Sequence, residues 1–577
     1  MNAINTMSNA DSWCVNKIAV VGPGIVGMPM AALLAHSRIC QGSDKPAQVV
    51  VIQRNSKNSG WKVGAINEGR SPIGGIEPDL DKIVRESVAA GTLRASHDYE
   101  EVGDADVILI CVQTDKKGLE PDYGPLFEAL GNIANALQNK PADKVPLIIV
   151  ESTLAPSTVA TVIKDHFAGC GLQEGRDILL GNSPNRVMPG RLVERVAISD
   201  KIVAGLNAGT PALIERLYSR IVTSGKLFPT NSLTAEIVKT LENAYRDVRI
   251  AYSTEIVRYC DEHDIDFYEV RRQVNTRLAL LDNASSDPNA VPTGGLLIPM
   301  IGVGGHCLPK DGILLWWRKI ESGLDTSKSL ILESRRINDE APGWTIRRAE
   351  QNFGDLSGKS VSLMGTAYRF NSEDTRNSPT LVLARQLIEK GCTVMMHDPY
   401  VKATDQNLIK FSMQPYFTRD ISQAVASAEY LIFCTSHKIY AEERDSIIGM
   451  APRLKGLFDG CNLYKQMDFT GKPFKYAGIG RGTTPPSGEF IDFVCDGFRV
   501  MERGVANELL GLIDFLNERY ADDEFNKVDF KEVQRIADTC ITGCSIPDPG
   551  HVEILPHFNG FASRLDQRAA NGGLHIS

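Results

Sequence analysis

Cys307 stands in the run Gly302-Val303-Gly304-Gly305-His306-Cys307-Leu308-Pro309-Lys310-Asp311. A thiol set among glycines, with a carboxylate four residues on, is more than packing asks for. A thiol attacks as the thiolate, so a nearby cation helps it. Lys239 and Asn243 lie four residues apart in a stretch of helical periodicity, hence on one helix face. A cation and an amide donor together suit a developing oxyanion. Arg369 and Arg376 are planar and permanently charged, which suits phosphate.

A second constellation, Gly22-Pro23-Gly24-Ile25-Val26-Gly27, follows the apolar run Lys17 to Val21 and opens an apolar helical pattern. In that βαβ context GxGxxG points to dinucleotide binding. Gly22 permits the tight turn, Gly24 lets the backbone approach a pyrophosphate, and Gly27 permits close helix–strand packing. The helix start at Ile25 and Val26 supplies N–H donors and a positive dipole end. The second strand, Val49 to Ile52, usually ends in Asp or Glu for the adenosine ribose, but here Gln53-Arg54 follows. Gln53 can still hydrogen-bond a hydroxyl. Arg54 could pair with a 2′-phosphate, which would favour NADP, or else stack on adenine or face solvent. NAD is the expected cofactor, with NADP open.

These residues need a frame. Val107 to Val112 and Leu147 to Val150 read as further buried strands with helical sequence between them. Leu233 to Tyr259 is helical and free of Gly and Pro, long enough to join two domains. After the Gly/Pro-rich stretch 292–305 a second alternation begins. Ser360 to Met364, Thr393 to His397, Tyr430 to Cys434 and Gly456 to Asp459 read as strands, with a helix at Thr380 to Lys390. The predicted fold is α/β: two doubly wound Rossmann-like domains joined by a helical centre, plus a C-terminal extension.

Composition fits that frame. The chain has 577 residues, 43% hydrophobic and 23% charged, with a formal net charge of −9. No apolar stretch is long enough to span a membrane, and the negative balance argues against nucleic acid or anionic membranes as partners. The 12 cysteines form no CxxC pair. Cys540 and Cys544 have no His or Cys following at metal-ligand spacing, so no metal site is expected. Reduced thiols in a cytoplasm are the expectation. Met1 to Asn16 is polar, lacks the apolar stretch of a secretory signal, and reads as a short tail.

With the GxGxxG turn, the Cys307 block resembles the UDP-glucose/GDP-mannose dehydrogenase family. Other blocks agree in order: Glu151-Ser152-Thr153 with Pro156, Ala235-Glu236 with Lys239 and Asn243, Gly365-x-Ala367-Tyr368-Arg369 with Asp374, Arg376, Ser378 and Pro379, and Asp459-Gly460-Cys461-Asn462. The resemblance runs from about Lys17 to Gly482. Such enzymes oxidise a sugar C6 alcohol to a carboxylate, passing two hydrides to two NAD+ molecules with a thioester between. The resemblance makes Cys307 the nucleophile. Lys239 and Asn243 become oxyanion stabilisers, and Asp311 and Thr153 position and activate water. It adds Thr114 and Thr153 to the cofactor site. It places Asn185, Arg186, Gly304, Arg369 and Arg376, with Lys239 and Asn243, on the nucleotide-sugar substrate. The family's middle helix forms a dimer interface, which implies a homodimer or higher assembly.

One active-site block departs from the pattern, and the substrate cues conflict. The family's PER or PEF segment carries a Glu implicated in water and proton steps. Here Ser183-Pro184-Asn185-Arg186 puts Asn185 in its place, with Glu151 as a nearby carboxylate. His306 resembles the branch acting on UDP-N-acetylhexosamines, whereas Lys310 resembles the UDP-glucose and GDP-mannose branches. A UDP-hexose, either UDP-glucose or a UDP-N-acetylhexosamine, is expected ahead of GDP-mannose. The loss of two usual carboxylates leaves open a nucleotide-sugar-binding or regulatory protein. A two-electron β-hydroxyacid dehydrogenase would lack the Cys307 block. The expected division is a tail (1–16), an NAD-binding domain (17–229), a helical dimerisation domain (230–345), a UDP-sugar-binding domain (346–482) and an extension of unassigned role (483–577).

Overall fold

Aliphatic and β-branched runs form the strands, and their alternation puts successive side chains on opposite faces of a sheet. The computed structural model describes residues 13–40, 42–74, 77–141, 144–187, 189–278, 295–540 and 543–550. Most of the polar N-terminal tail, Met188, the start of the 292–305 stretch and the chain end from 551 lie outside the described residues. Two compact units are formed. Among the described residues, the first draws on those within 13–242, 313–325 and 509–545, the second on those within 243–312, 326–508 and 546–550.

The first unit contains β1 (Lys17–Val21), β2 (Gln48–Ile52), β3 (Leu93–Ser96), β4 (Val107–Ile110), the hairpin β5 (Asp115–Lys117) and β6 (Glu120–Asp122), β7 (Leu147–Val150), β8 (Leu179–Asn182), β9 (Lys201–Gly205) and β10 (Leu227–Asn231). Eight of these make one sheet in the order β10-β9-β8-β7-β4-β1-β2-β3. It is parallel throughout except where β8 meets β9. Ile18, Val20, Val49, Val51, Leu109 and Ile149 pack into a core on one face, together with α1 (Gly27–His36). Their neighbours Ala19, Val21, Val50, Ile52, Ile110 and Val150 pack into a core on the other face, beneath the helix Gly124–Leu137. Helices on both faces make the sheet doubly wound, each fully buried aliphatic side chain contributing about 1.5–3 kcal/mol.

The second unit carries β11 (Ser360–Met364), β12 (Thr393–His397), β13 (Phe417–Thr418), β14 (Tyr430–Phe433), β15 (Gly456–Asp459) and β16 (Lys475–Gly478), in the order β13-β12-β11-β14-β15-β16. All its pairings are parallel.

The long middle helix is α2 (Ser232–Glu262), with no Gly or Pro along it. Its start is capped by Asn231, whose Oδ1 accepts from Thr234 N at 2.8 Å. Two further helices are α3 (Leu308–Glu321) and, in the extension, α4 (Gly488–Tyr520). In the second unit α4 covers α2. Tyr245 OH donates to Glu502 at 2.7 Å, Tyr252 OH donates to Val494 O at 2.8 Å, and Tyr259 stacks on Phe490. Glu255 and Glu262 are the exposed residues of α2. The helix on which the resemblance puts the dimer contact is thus largely covered by its own chain. No helix among the described residues is long and apolar enough to cross a membrane, and no disulfide joins the cysteines.

Candidate active site

In the first unit the C-terminal ends of five neighbouring strands are level: Ile52 pairs with Val21, Val21 with Ile110, Ile110 with Val150, and Val150 with Asn182. The next residues, Gln53, Gly22, Cys111, Glu151 and Ser183, therefore open their loops along one sheet edge, where doubly wound sheets bind ligands.

The glycine turn is tied to β2 by Gly22 N donating to Ile52 O at 3.0 Å, and it passes into α1 through Met28 N on Gly24 O at 3.0 Å. Gly27 is required by close approach, since a Cβ there would sit 2.1 Å from Gly22 O. Above Gly24 there is open space. The amides of Ile25 and Val26 donate to no backbone acceptor among the described residues. Lys62 adds a cation, its Nζ donating to Pro23 O at 3.3 Å, with burial lowering its pKa. Open space over Gly24, amide donors and a cation suit the pyrophosphate of a dinucleotide. Gln53 Nε2 donates to Ser59 Oγ at 2.9 Å and to Arg54 O at 3.2 Å, so Oε1 is the atom suited to accept from a hydroxyl. Arg54 forms an exposed 2.7 Å ion pair with Glu128, so its guanidinium already has a carboxylate partner. Thr114 and Thr153 are brought together, Thr114 Oγ1 donating to Thr153 O at 2.8 Å.

Beside them lies a buried polar network. Glu151 accepts from Lys201 Nζ at 2.9 Å, from Asn185 Nδ2 and from Tyr218 OH. Lys201 also donates to Ser183 O at 2.8 Å and to Asn185 Oδ1 at 3.1 Å. Both amide ends of Asn185 are thereby fixed, and the Glu151 and Lys201 side chains are 0% and 5% exposed. Burial pulls the Lys201 pKa down, with the Glu151 charge opposing it and Lys239 adding to the fall. Burial, then the Glu151 charge, drives the Tyr218 and Cys111 pKa values well up. The sequence left Glu151 as an unplaced alternative to the missing Glu; it lies directly behind Asn185. Lys201 escaped the sequence reading. Its signal was a charge heading the otherwise apolar strand Lys-Ile-Val-Ala-Gly, but its partner is 50 residues away.

Arg186, expected on the substrate, turns its guanidinium inward. Nη2 is paired with Glu242 at 2.5 Å and donates to Ile536 O at 3.1 Å, while Nη1 donates to Thr539 Oγ1 at 2.9 Å and Asp200 O at 3.2 Å. The loop after Thr153 is held by Glu236, which accepts from Ser157 N at 2.6 Å and Val159 N at 2.9 Å.

The second unit holds the cysteine. Cys307 immediately precedes α3, and its carbonyl accepts from Lys310 N at 3.0 Å and Asp311 N at 2.9 Å. The Asp311 carboxylate is buried, taking Lys310 Nζ at 2.8 Å on one oxygen and Asn243 Nδ2 at 2.6 Å on the other. The glycine loop before Cys307 lies on the loop after β11. Gly305 N donates to Arg376 O at 2.8 Å, and Asn377 Nδ2 donates to Gly305 O at 2.9 Å. A Cβ on Gly304 would lie 2.3 Å from Tyr368 Cβ, so no other residue fits there. The Arg376 guanidinium is held by Asp374 at 2.9 Å. Burial pulls its pKa down, but the Asp374 bond and charge, with contributions from Tyr368 and Cys307, raise it overall. A cation thus lies within electrostatic reach of the Cys307 sulfur. Arg369 sits on the same loop, its guanidinium 5.7 Å from the Phe370 ring.

That loop is fastened by groups the sequence did not single out. Asp398 accepts from Thr366 N at 2.8 Å, Ala367 N at 2.9 Å and His437 Nε2 at 3.0 Å, and His437 Nδ1 accepts from Asn371 N at 2.8 Å. The level strand ends Met364, His397 and Phe433 bring these residues together from three loops.

Residues 16–222 match the NAD binding domain of the UDP-glucose/GDP-mannose dehydrogenase family, residues 233–340 its central domain, and residues 362–466 its UDP binding domain. A UDP-N-acetyl-D-mannosamine dehydrogenase of Pyrococcus horikoshii is 31% identical over 81% of this chain and 99% of its own. An NDP-N-acetyl-D-galactosaminuronic acid dehydrogenase of Ralstonia nicotianae is 28% identical over 73% of this chain and 90% of its own. The crystal structure of an NDP-N-acetyl-D-galactosaminuronic acid dehydrogenase from Methanosarcina mazei superposes with a TM-score of 0.69 at 29% identity, covering 84% of this chain and 98% of that one.

Proposed function

Because the chain belongs to the UDP-glucose/GDP-mannose dehydrogenase family, we propose that it oxidises the C6 alcohol of a UDP-N-acetylhexosamine to the carboxylate, by a four-electron route through Cys307. The observation that carries this reading is the Cys307 block itself. The thiol precedes α3, the glycine loop before it is packed against the Tyr368–Asn377 loop, and the Arg376 cation is in electrostatic reach. The N-acetylhexosamine is preferred to glucose because the relatives at about 30% identity are named for such sugars.

Gly22, Gly24, Ile25, Val26, Gly27, Gln53, Thr114 and Thr153 hold NAD+, which accepts the electrons of both oxidations when bound. Arg369 and Arg376 take the UDP phosphates. Lys239 and Asn243 hold the sugar oxygen as its proton passes to water held by Thr153. Cys307 Sγ then adds to the C6 aldehyde, and the same two side chains stabilise the thiohemiacetal oxyanion. Oxidation of that adduct leaves a thioester, which water opens to release the acid and the thiol. Asp311 orients Asn243 through its 2.6 Å bond, and Thr153 and Asn185 position water. In this reading Arg186 supports the site from behind rather than touching the sugar. The domain boundaries at 230, 346 and 483, a cytoplasmic setting and a homodimer belong to the same proposal.

A panel of UDP-N-acetylhexosamines, UDP-glucose and GDP-mannose, run with NAD+ and NADP+, tests it. The expected result is two NADH per uronate, from a UDP-N-acetylhexosamine first. Cys307→Ser should abolish acid formation. No turnover with any sugar would overturn the dehydrogenase reading, and unchanged acid formation in Cys307→Ser would overturn the nucleophile.

A further inference from the structure

The family's matched domains end at residue 466, leaving the extension without a role. Part of it belongs to the first unit. After α4 the chain turns back, pinned by Asn517, whose side chain accepts from Val528 N at 2.8 Å and donates to Val528 O at 2.9 Å. Asn231, which caps α2, donates through Nδ2 to Phe525 O at 2.9 Å and Lys527 O at 2.8 Å. A last helix, α5 (Phe530–Ala537), is capped by Asp529 and buries Phe530, Val533, Ile536 and Ala537. Arg535 lies over the Phe228 ring of β10 at 5.2 Å.

The end of α5 meets Arg186. A helix C-terminus presents carbonyls without helical partners and a negative dipole end, which suits a cation. Ile536 O and Thr539 Oγ1 each accept from the guanidinium, and Thr539 Oγ1 donates in turn to Ile536 O at 2.7 Å. With Glu242 and Asp200 O this leaves the Arg186 side chain 5% exposed. Arg186 directly follows Asn185, whose amide is clamped by Glu151 and Lys201. The loop after β8 is therefore gripped on one side by the sheet's own network and on the other by the extension.

We propose that α5 and Thr539 are positioning elements of the active site, locking Arg186 and through it the placement of Asn185. This rests on the sugar-oxidation reading. Extension residues then act on a catalytic loop more than 340 positions earlier in the chain.

The test compares Thr539→Val with Thr539→Ser in the full chain. Thr539→Val should lower kcat for sugar oxidation at least about tenfold. NAD+ affinity should stay within about twofold of the wild type. Thr539→Ser, which keeps the hydroxyl, should restore turnover. Wild-type kcat in Thr539→Val, or NAD+ affinity falling in step with kcat and melting temperature, would overturn the proposal. Hydrogen exchange of the Ser183, Asn185, Arg186 and Val187 amides reads the positioning without turnover. Faster exchange in Thr539→Val, or in Arg535→Ala should the first variant fail to fold, supports the lock, and unchanged exchange refutes it. If the wild type turns over no sugar, the oxidation reading fails, while the exchange result still decides the lock.

Discussion

Asn185→Asp would put a second carboxylate into the space where the amide now donates to Glu151 and accepts from Lys201. The side chains are nearly isosteric, so the new carboxylate would lie within hydrogen-bond distance of Glu151. At a separation of about 4 Å and an effective dielectric of about 20, two unit charges repel by about 4 kcal/mol, equivalent to roughly 3 pKa units. Lys201 already bonds both positions and cannot neutralise two carboxylates. The pair should therefore hold one proton up to about pH 7, against about 4 in the unfolded chain. The folded state then binds the extra proton, so stability falls as pH rises through that window. Near pH 5 a shared proton replaces the amide hydrogen bond, and the variant should unfold close to wild type. At pH 8.5 it should be less stable by up to about 4 kcal/mol. Denaturant unfolding of both proteins at the two pH values, followed by a probe in the first unit, measures this. A wild-type-minus-variant difference that is the same at both pH values would refute the placement of Asn185 against Glu151.

Three further outcomes are expected. Gly304→Ala drives a methyl to 2.3 Å from Tyr368 Cβ, so UDP affinity, measured by calorimetry, should fall while NAD+ binding is kept. Arg54→Ala removes only an exposed pair with Glu128 and should leave NAD+ use intact, as steady-state kinetics with both cofactors will check. Burial lowers the His397 pKa to about 4, with the neighbouring Asp398 charge opposing. Its folded pKa thus lies below the unfolded value, so roughly 3 kcal/mol of stability should be lost as pH falls from about 6.5 to 4. His397→Asn, which can keep the bond made by Nδ1 to Tyr440 OH, should flatten that slope in denaturant titrations at several pH values.

Local patterns made the frame legible. Short apolar runs became β1, β2, β4, β7, β11, β12, β14 and β15, and the stretch without Gly or Pro became α2. β8, β9 and β10 were not legible, because Leu-Leu-Gly-Asn is short and Lys201 and Pro229 interrupt the apolar signal. The same Lys201, discouraging as a strand residue, proves to be the cation of the buried network.

The sequence by itself determined which chemical groups are present and which are neighbours along the chain. A glycine turn before a helix, a thiol four residues from an acid, and Lys239 one turn from Asn243 need only local backbone geometry to be read. Only the tertiary structure decided what faces what across long separations. Level parallel strands put Glu151 behind Asn185, and α5 carried Thr539 to Arg186. Such pairings follow from strand register and helix docking, set by burial summed over whole faces, and no short segment of sequence encodes them.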